Sequence, residues 1–178
     1  MKNICIGLFE GETLPESLTA FKDVKLDLEF GKITTIHTLN QLDCEKVVVV
    51  GLGDGKKNIK EAFSKVEADD YLVYVTENTA YAAGFGLVYG AYSYKETKVY
   101  DLESDGFKDE FEKGKTVARI VNHAREMSDM PANFLTPDHL VDEAKMVAEK
   151  YGMEIEVLAQ DDLEQIGAGA LLAVNQGS

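Results

Sequence analysis

The 178-residue sequence contains no tryptophan, only three prolines and only two cysteines. No apolar run approaches the roughly 18 residues that a membrane-spanning helix needs, so we expect no membrane partner. Cys5 and Cys44 lie far apart and form no pair with metal-ligand spacing. This is typical of a reducing compartment, where free cysteines pack as small core residues. The first residues lead directly into strand-like sequence without the architecture of a signal peptide, which predicts a cytoplasmic protein.

Positive charge is also scarce. The sequence has 18 Lys and Arg against 32 Asp and Glu, a formal net charge of −14 at pH 7. Because an acidic chain repels phosphate backbones, we expect no nucleic acid partner. The acidity is uneven, since residues 151–178 hold five acids and no Lys or Arg. Such a segment is either a solvated face or a surface that normally faces something else.

Hydrophobic residues make up 45% of the sequence, enough to bury a core. Their periodicity alternates between strand and helix, which predicts an α/β fold with a mixed sheet and helices on both faces. Beyond the strand-like start, strands are predicted at 24–30, 33–39, 47–50, 71–75, 99–102, 154–158 and 170–174, the first two joined as a hairpin by Gly31 and Lys32. Helices are predicted at 58–66, 80–92, 110–128 and 137–151, with a short one capped by Asp161 or Asp162.

An acidic segment between residues 101 and 112 has the spacing of a calcium loop. Asp101, Glu103, Asp105 and Gly106 occupy positions 1, 3, 5 and 6 of such a loop, and Glu112 occupies position 12. However, position 3 is Glu rather than Asp or Asn, and the preceding residues are predicted as a strand rather than a helix. The pattern therefore favours an acidic connector with a turn over a calcium site.

A glycine-rich turn, Gly51-Leu52-Gly53-Asp54-Gly55, separates a predicted buried strand from a helix capped by Asn58. Backbone N–H groups at such a turn attract phosphates, and Lys56 and Lys57 would add positive charge. The dinucleotide fingerprint fails, because Lys56 stands where its third glycine would be, and the Walker pattern is absent. A tight turn between strand and helix is the favoured interpretation.

The three histidines, His37, His123 and His139, have no partners at metal-ligand spacing. Only His139 and Glu143 lie one helical turn apart, and nothing nearby in the sequence completes a ligand set. No nucleophile elbow and no catalytic-type cysteine occurs either. The residues alone therefore predict no catalytic, no cofactor-binding and no metal-binding residue in this chain.

The segment from Ala118 to Pro137 resembles the leucyl aminopeptidase (cytosol aminopeptidase) family. In that family an Arg-bearing helix enters a Pro-Ala-Asn-x-x-Thr-Pro loop, here Pro131-Ala132-Asn133 followed by Thr136-Pro137. Three further stretches agree in order: Val50-Gly51-Leu52-Gly53, the small-residue stretch 83–95 that ends in Tyr94-Lys95, and residues 167–178. The resemblance covers nearly the whole chain, and the loop is its most specific part.

This resemblance implies a domain division. Residues 1–108 would form an amino-terminal α/β domain similar to macro domains, 109–130 a linker helix, and 131–178 the first elements of a truncated catalytic domain. The family's two-metal site comes from later motifs, a Gly-Lys-Gly segment continuing to Asp-Ser-Gly-Gly and an Asn-Thr-Asp-Ala-Glu-Gly-Arg segment. Neither occurs here, since Lys113-Gly114-Lys115 does not match in context. The chain is therefore expected to be an inactive fragment without metal ligands of its own.

The parent implied by the resemblance is a cytoplasmic metallopeptidase, a hydrolase acting in proteolysis. It would remove N-terminal residues from peptides with two divalent ions, manganese or zinc, and assemble as a hexamer. The amino-terminal part would serve assembly and shape access to the catalytic interior. The alternative is a stand-alone macro-like module that binds a nucleotide or ADP-ribose through its glycine turns.

Overall fold

The computed structural model describes residues 2–94, 96 and 100–176. A sheet of five strands lies at its centre, in the order β2-β3-β1-β4-β5. Strand β2 runs antiparallel to β3, while the β1–β3, β1–β4 and β4–β5 pairs are parallel. The mixed sheet predicted from the periodicity is thus confirmed. The strands are β1 (Asn3–Leu8), β2 (Ile33–His37), β3 (Lys46–Gly51), β4 (Tyr71–Tyr74) and β5 (Leu102–Ser104).

The run of valines in β3 is buried on both faces of the sheet, as its β-branched composition predicts. Val48 and Val50 join one core cluster with Cys5, whereas Val47 and Val49 join a second cluster on the other face. Three helices cover the first face: α1 (Ile59–Phe63), α2 (Ala80–Gly90) and α3 (Lys108–Asp129). A 3-10 helix, Glu16–Phe21, covers part of the second face through Leu18 and Phe21.

Both cysteines are free and buried, in agreement with their predicted core role. Burial raises the pKa of the Cys5 thiol to about 12. Burial, with a contribution from Asp43, also raises the pKa of Cys44. Because the thiolate is the reactive form, both residues are packing elements rather than nucleophiles.

Helices α2 and α3 pack with their backbones unusually close together. A Cβ added at Gly114 would lie 2.2 Å from the carbonyl oxygen of Tyr81, and one added at Gly84 would lie 2.2 Å from that of Phe111. Glycine is therefore required at the crossing of these helices. This contact explains Gly84 and Gly114, whereas Gly86 and Gly90 of α2 permit close approach to α1, where an added Cβ would lie 2.4 Å from the Lys60 carbonyl oxygen and 2.1 Å from that of Ser64.

Three further helices follow: α4 (Pro137–Tyr151), α5 (Gln160–Gln165) and α6 (Gly169–Asn175). The sequence signals for α4 are confirmed, since the Thr136 side chain accepts a hydrogen bond from the His139 N–H and Gly152 ends the helix at φ 64°. Asp162 accepts a hydrogen bond from the Ala159 N–H at the start of α5. The chain divides into two compact units, a first unit at Met1–Asp129 and a second unit at Met130–Ser178.

The predicted strand at 24–30, and with it the hairpin to β2, is wrong. These residues belong to no strand: 25–28 have no regular secondary structure, and 24, 29 and 30 lie in bends or a turn. They run past the glycine-rich turn instead, where the Leu28 carbonyl accepts from the Gly53 N–H and the Gly31 N–H donates to Gly51. Their alternation has a different cause, since Leu26 and Leu28 pack on the second core cluster while the charged residues between them face solvent.

The two strands predicted in the second unit are also wrong. Residues 154–158 form no strand, and residues 170–174 lie within α6. A short apolar run does not distinguish a buried strand from a helix by periodicity alone, and the described part of this unit contains no strand with which either segment pairs. In the first unit, the strand predicted at 99–102 is shifted, because β5 begins at Leu102, while Val99 lies outside the described residues. None of the described helices has the length and apolarity needed to cross a membrane.

Candidate functional site

A cavity of about 320 Å³ lies beside the α2–α3 pair in the first unit. Its apolar wall comes from Val88, Ala91 and Leu102, and two aromatic rings, Tyr92 and Tyr100, complete it. One face of α3 supplies its polar side chains: Lys115, Arg119, Asn122, His123 and Glu126. Residues three, four and seven positions apart share a face of an α-helix, so this stripe follows from the spacing in the sequence.

The charged groups of this cavity differ in how they are paired. The Lys115 side chain is buried, and its ammonium donates to the Leu102 carbonyl at 2.8 Å and to a Glu112 carboxylate oxygen at 2.6 Å. Arg119 and Glu126 have no hydrogen bond or ion pair with any residue in 2–94, 96 or 100–176. Within the described chain, the cavity therefore presents one unpaired cation and one unpaired anion.

A cation–aromatic stack fixes one end of the cavity. The Arg125 guanidinium lies 4.4 Å from the Tyr89 ring centre and 4.2 Å from that of Tyr92. It also donates to the Tyr89 carbonyl and to Asn122. Tyr92 donates its hydroxyl hydrogen to Asp129 at 2.6 Å; desolvation and this hydrogen bond raise the pKa of Tyr92 to about 12. The phenol therefore remains a neutral hydrogen-bond donor at physiological pH.

A second opening, of about 460 Å³, lies at the carboxyl ends of β1 and β4. The chain leaves β1 toward β2 and β3, and leaves β4 through α2 toward β5 on the opposite side. In open α/β sheets ligands bind at such a switch in direction. The described residues lining this crevice include Glu12 and Asp105 but no Lys or Arg.

The residues of the calcium-loop pattern are dispersed among other contacts. The Lys2 ammonium lies 2.9 Å from Asp101 and 2.6 Å from Glu103. Asp105 accepts from the Val75 N–H, and Glu112 pairs with Lys115. A lysine thus occupies the position between two acids where the cation would bind, in line with the connector interpretation.

The glycine-rich turn uses its backbone groups to bind other segments of the chain. The N–H groups of Gly51, Leu52 and Gly53 donate to Lys32, Leu8 and Leu28. A Cβ at Gly51 would lie 2.3 Å from the Glu29 carbonyl oxygen, so the glycine permits close approach of the 27–30 segment. Lys56 is paired with Asp54 at 2.6 Å. These contacts support the interpretation as a structural turn.

The three histidines lie on three different elements, β2, α3 and the start of α4. His37 is exposed at the end of β2, and His139 contacts the Thr136 hydroxyl through Nδ1 at 3.1 Å at the start of α4. His123 is exposed on α3, where it lines the cavity. Among the residues that the structure describes, no group of three or more His, Cys, Asp or Glu side chains could hold a metal ion.

Sequence reasoning missed the cavity. Lys115 and Arg119 lie one helical turn apart on a predicted helix, with Glu126 two turns beyond Arg119, and this regular spacing was the available signal. What the sequence could not show was the wall opposite this stripe. That wall depends on where the end of α2 and the start of β5 lie against α3.

Comparison with known proteins places these observations in a family. Residues 122–178 match the model of the cytosol aminopeptidase family, catalytic domain. A probable cytosol aminopeptidase of Exiguobacterium sibiricum is 36% identical over 83% of this chain and 36% of its own length. One of Aromatoleum aromaticum is 27% identical over 86% of this chain and 38% of its own length. The chain therefore spans well under half of the relatives it matches.

A solved structure shares the fold. The bottromycin maturation enzyme BotP, in complex with Mn, superposes with a TM-score of 0.71 at 18% identity. The match covers 93% of this chain and 40% of BotP. The loop at Pro131–Pro137, the match of residues 122–178 and the two relatives agree: the chain belongs to the cytosol aminopeptidase family.

Proposed function

We propose that this chain is the non-catalytic amino-terminal part of a metal-dependent leucyl aminopeptidase, a hydrolase that removes N-terminal residues from peptides. The observation that carries the proposal is the placement of the catalytic-domain match. It begins at Asn122 and reaches the last residue, whereas almost all of the first unit precedes it. The relatives continue well beyond the matched part, because only 36% and 38% of their lengths are covered.

The parent is proposed to use two divalent ions, manganese or zinc, which in such enzymes activate a water and stabilise the developing oxyanion. The described residues do not fit such a centre, since none of their acidic, histidine or cysteine side chains form a suitable group. The metal ligands would therefore belong to the remaining length of the parent. The presence of Mn in the BotP structure supports manganese as a first choice for assays.

The proposed role of residues 1–108 is to support assembly of a hexamer and to shape access for peptides. The second unit supports a role within a larger protein, because its described part exposes many large apolar side chains: Phe134, Leu140, Met146, Val147, Tyr151, Met153, Ile155, Val157, Leu158, Ile166, Leu171 and Val174. Apolar surface of this kind marks an interaction site. The remaining catalytic domain of the parent is its proposed partner. A cytoplasmic location, with neither nucleic acid nor membrane as partner, completes the proposal.

Two measurements test this function. The purified 178-residue chain is assayed on leucine p-nitroanilide with Mn²⁺, Zn²⁺ or Co²⁺, beside the full parent expressed from the continued gene. We expect turnover from the parent only, because the chain holds no described metal group. The parent lacking residues 1–108 is then sized by light scattering, with loss of the hexamer expected. Turnover by the pure chain, or a gene that stops after codon 178, would overturn the proposal.

The macro-like binding module is the second candidate, and the crevice at the β1–β4 switch point is the observation that favours it. Its carboxylates, Glu12 and Asp105, oppose a diphosphate, as does the net charge of −14. Calorimetric titration with ADP-ribose separates the two candidates. Negligible heat is expected for an aminopeptidase part, whereas a micromolar dissociation constant would favour the binding module.

A further inference from the structure

The cavity beside α2 and α3 carries charges that nothing in the described chain neutralises. Arg119 and Glu126 both line it, and neither forms a hydrogen bond or an ion pair with a described residue. The third charged group, Lys115, is already neutralised by Glu112 at 2.6 Å. One free positive and one free negative group on the same rim are complementary to a ligand that carries both charges, which is a zwitterion.

The spacing of these two groups limits how far apart the ligand's charges can be. Arg119 and Glu126 lie seven residues apart on α3, about 10 Å along the helix axis. Both side chains are long and both line the cavity, so a ligand held between them can contact the two charged groups. A small molecule with neighbouring ammonium and carboxylate groups can bridge them, with the carboxylate on the guanidinium and the ammonium on Glu126.

The wall and the volume of the cavity indicate the polarity and the size of the uncharged part of the ligand. Val88, Ala91 and Leu102 form an apolar wall, flanked by the rings of Tyr92 and Tyr100. The volume of about 320 Å³ is at the small end of ligand pockets, which span about 300–1,000 Å³. A small ligand with an apolar group is therefore a better fit than a nucleotide.

We propose that this cavity binds a free α-amino acid with an apolar side chain. The choice among zwitterions rests on the proposed function, because an aminopeptidase releases free amino acids from its substrates. Bound here, the product of the parent would occupy a site on the first unit.

The test uses the 178-residue chain and L-leucine as the probe, titrated by calorimetry and by saturation-transfer NMR. Two further probes each lack one charge: leucinamide has no carboxylate, and N-acetyl-leucine has no ammonium. The variants are Arg119→Gln, Glu126→Gln and Ala91→Phe, the last of which fills the apolar wall. Lys113→Gln is the matched control, because Lys113 is exposed on the same helix but does not line the cavity.

We expect saturable binding of L-leucine that Arg119→Gln weakens by about tenfold, the scale of one charge-assisted hydrogen bond. The same variant should leave leucinamide binding unchanged, just as Glu126→Gln should leave N-acetyl-leucine unchanged. Ala91→Phe should abolish binding, and Lys113→Gln should have no effect. Absence of saturable binding, or equal binding by all variants, would overturn the inference. Neither result bears on the activity assay of the parent, so the proposed function stands or falls separately.

Discussion

Replacement of Gly114 by alanine tests the packing that builds the cavity. In an isolated helix this change is favourable by about 1 kcal/mol, because alanine has the higher helix propensity. Here the added Cβ would lie 2.2 Å from the Tyr81 carbonyl oxygen and 2.8 Å from the Phe85 nitrogen. Both are backbone atoms of α2, so the clash cannot be relieved by rotating a side chain.

The expected loss of folding stability follows from how far α2 and α3 must move apart. Helices α2 and α3 would have to separate by roughly an ångström at their closest point, since real Cβ contacts lie beyond about 3.0 Å. The seam between them holds Phe111 and Ala118, both 0% exposed, which would lose contacts. Overpacking of this kind costs about 1–3 kcal/mol, and rigid backbone on both sides favours the upper end. After the propensity gain, a net loss of about 2 kcal/mol remains.

Thermal unfolding followed by circular dichroism measures the effect. A loss of about 2 kcal/mol should lower the Tm by roughly 4–8 °C in a chain of this size. Gly106→Ala is the matched control, since a Cβ at Gly106 meets nothing within 4 Å and its Tm should stay unchanged. A Gly114→Ala protein as stable as the unmodified chain, or more stable, would refute the close-packing argument.

Three further predictions concern acid stability, calcium and the second unit. Burial of Asp69 would raise its pKa, but the Lys46 ion pair and hydrogen bonds from Asp70 and Asn3 outweigh it and lower that pKa. The ionised Asp69 carboxylate therefore stabilises the folded chain above about pH 4, the usual pKa of Asp in an unfolded chain, and this stabilisation is lost as the pH falls through the lowered pKa of the folded state. Asp69→Asn should therefore flatten the decline in Tm at acid pH. Equal acid slopes would contradict this. Millimolar calcium should leave the Tm unchanged relative to magnesium, because Lys2 already pairs with Asp101 and Glu103; a calcium-specific increase would restore the calcium-loop interpretation. Backbone amides at 153–159 should exchange hydrogen much faster than those of β3.

The sequence predicted those elements whose signals are local. Asn58 and Thr136 accept backbone N–H groups at the starts of α1 and α4, and Gly152 ends α4. The buried valines of β3 fit only the centre of a sheet. In each case the residue's own chemistry determines the local structure, so no distant contact is needed to predict it.

The failures occurred where the structure depends on distant partners. Apolar and charged residues alternate over 24–30 as they do in a strand. The Leu28 carbonyl nevertheless accepts a hydrogen bond from the Gly53 N–H of the glycine-rich turn, instead of pairing with a neighbouring strand. Residues 170–174 are apolar and short, and they form α6 in a unit whose described part contains no strand. The cavity belongs to the same class, because Arg119 becomes a site residue only when Ala91 and Leu102 lie opposite it.

The exchange prediction follows from how little the described second unit buries. Ala148, at 4% exposure, is the only buried side chain among its described residues, whereas Ile155, Val157 and Leu158 are each about 45% exposed. Residues 153–159 lie in no helix or strand. The Met153 amide donates to the Ala148 carbonyl and the Ala159 amide to Asp162, but the amides of 154–158 have no hydrogen bond within the described chain to slow their exchange. Val47 and Val49 in β3 are 0% exposed and paired to strands on both sides.

Hydrogen exchange is measured by mass spectrometry on the chain alone and then on the full parent. The comparison distinguishes a second unit that lacks its partner from one that is complete by itself. If the second unit lacks its partner, amides at 153–159 should exchange rapidly in the chain and become protected in the parent, because the apolar side chains there would be covered. Peptides from β3 provide the internal control, since their protection should be the same in both proteins. Protection at 153–159 equal to that of β3 in a monomeric chain would mean that the unit is complete by itself. The proposal that its exposed apolar surface faces the remaining catalytic domain would then fail.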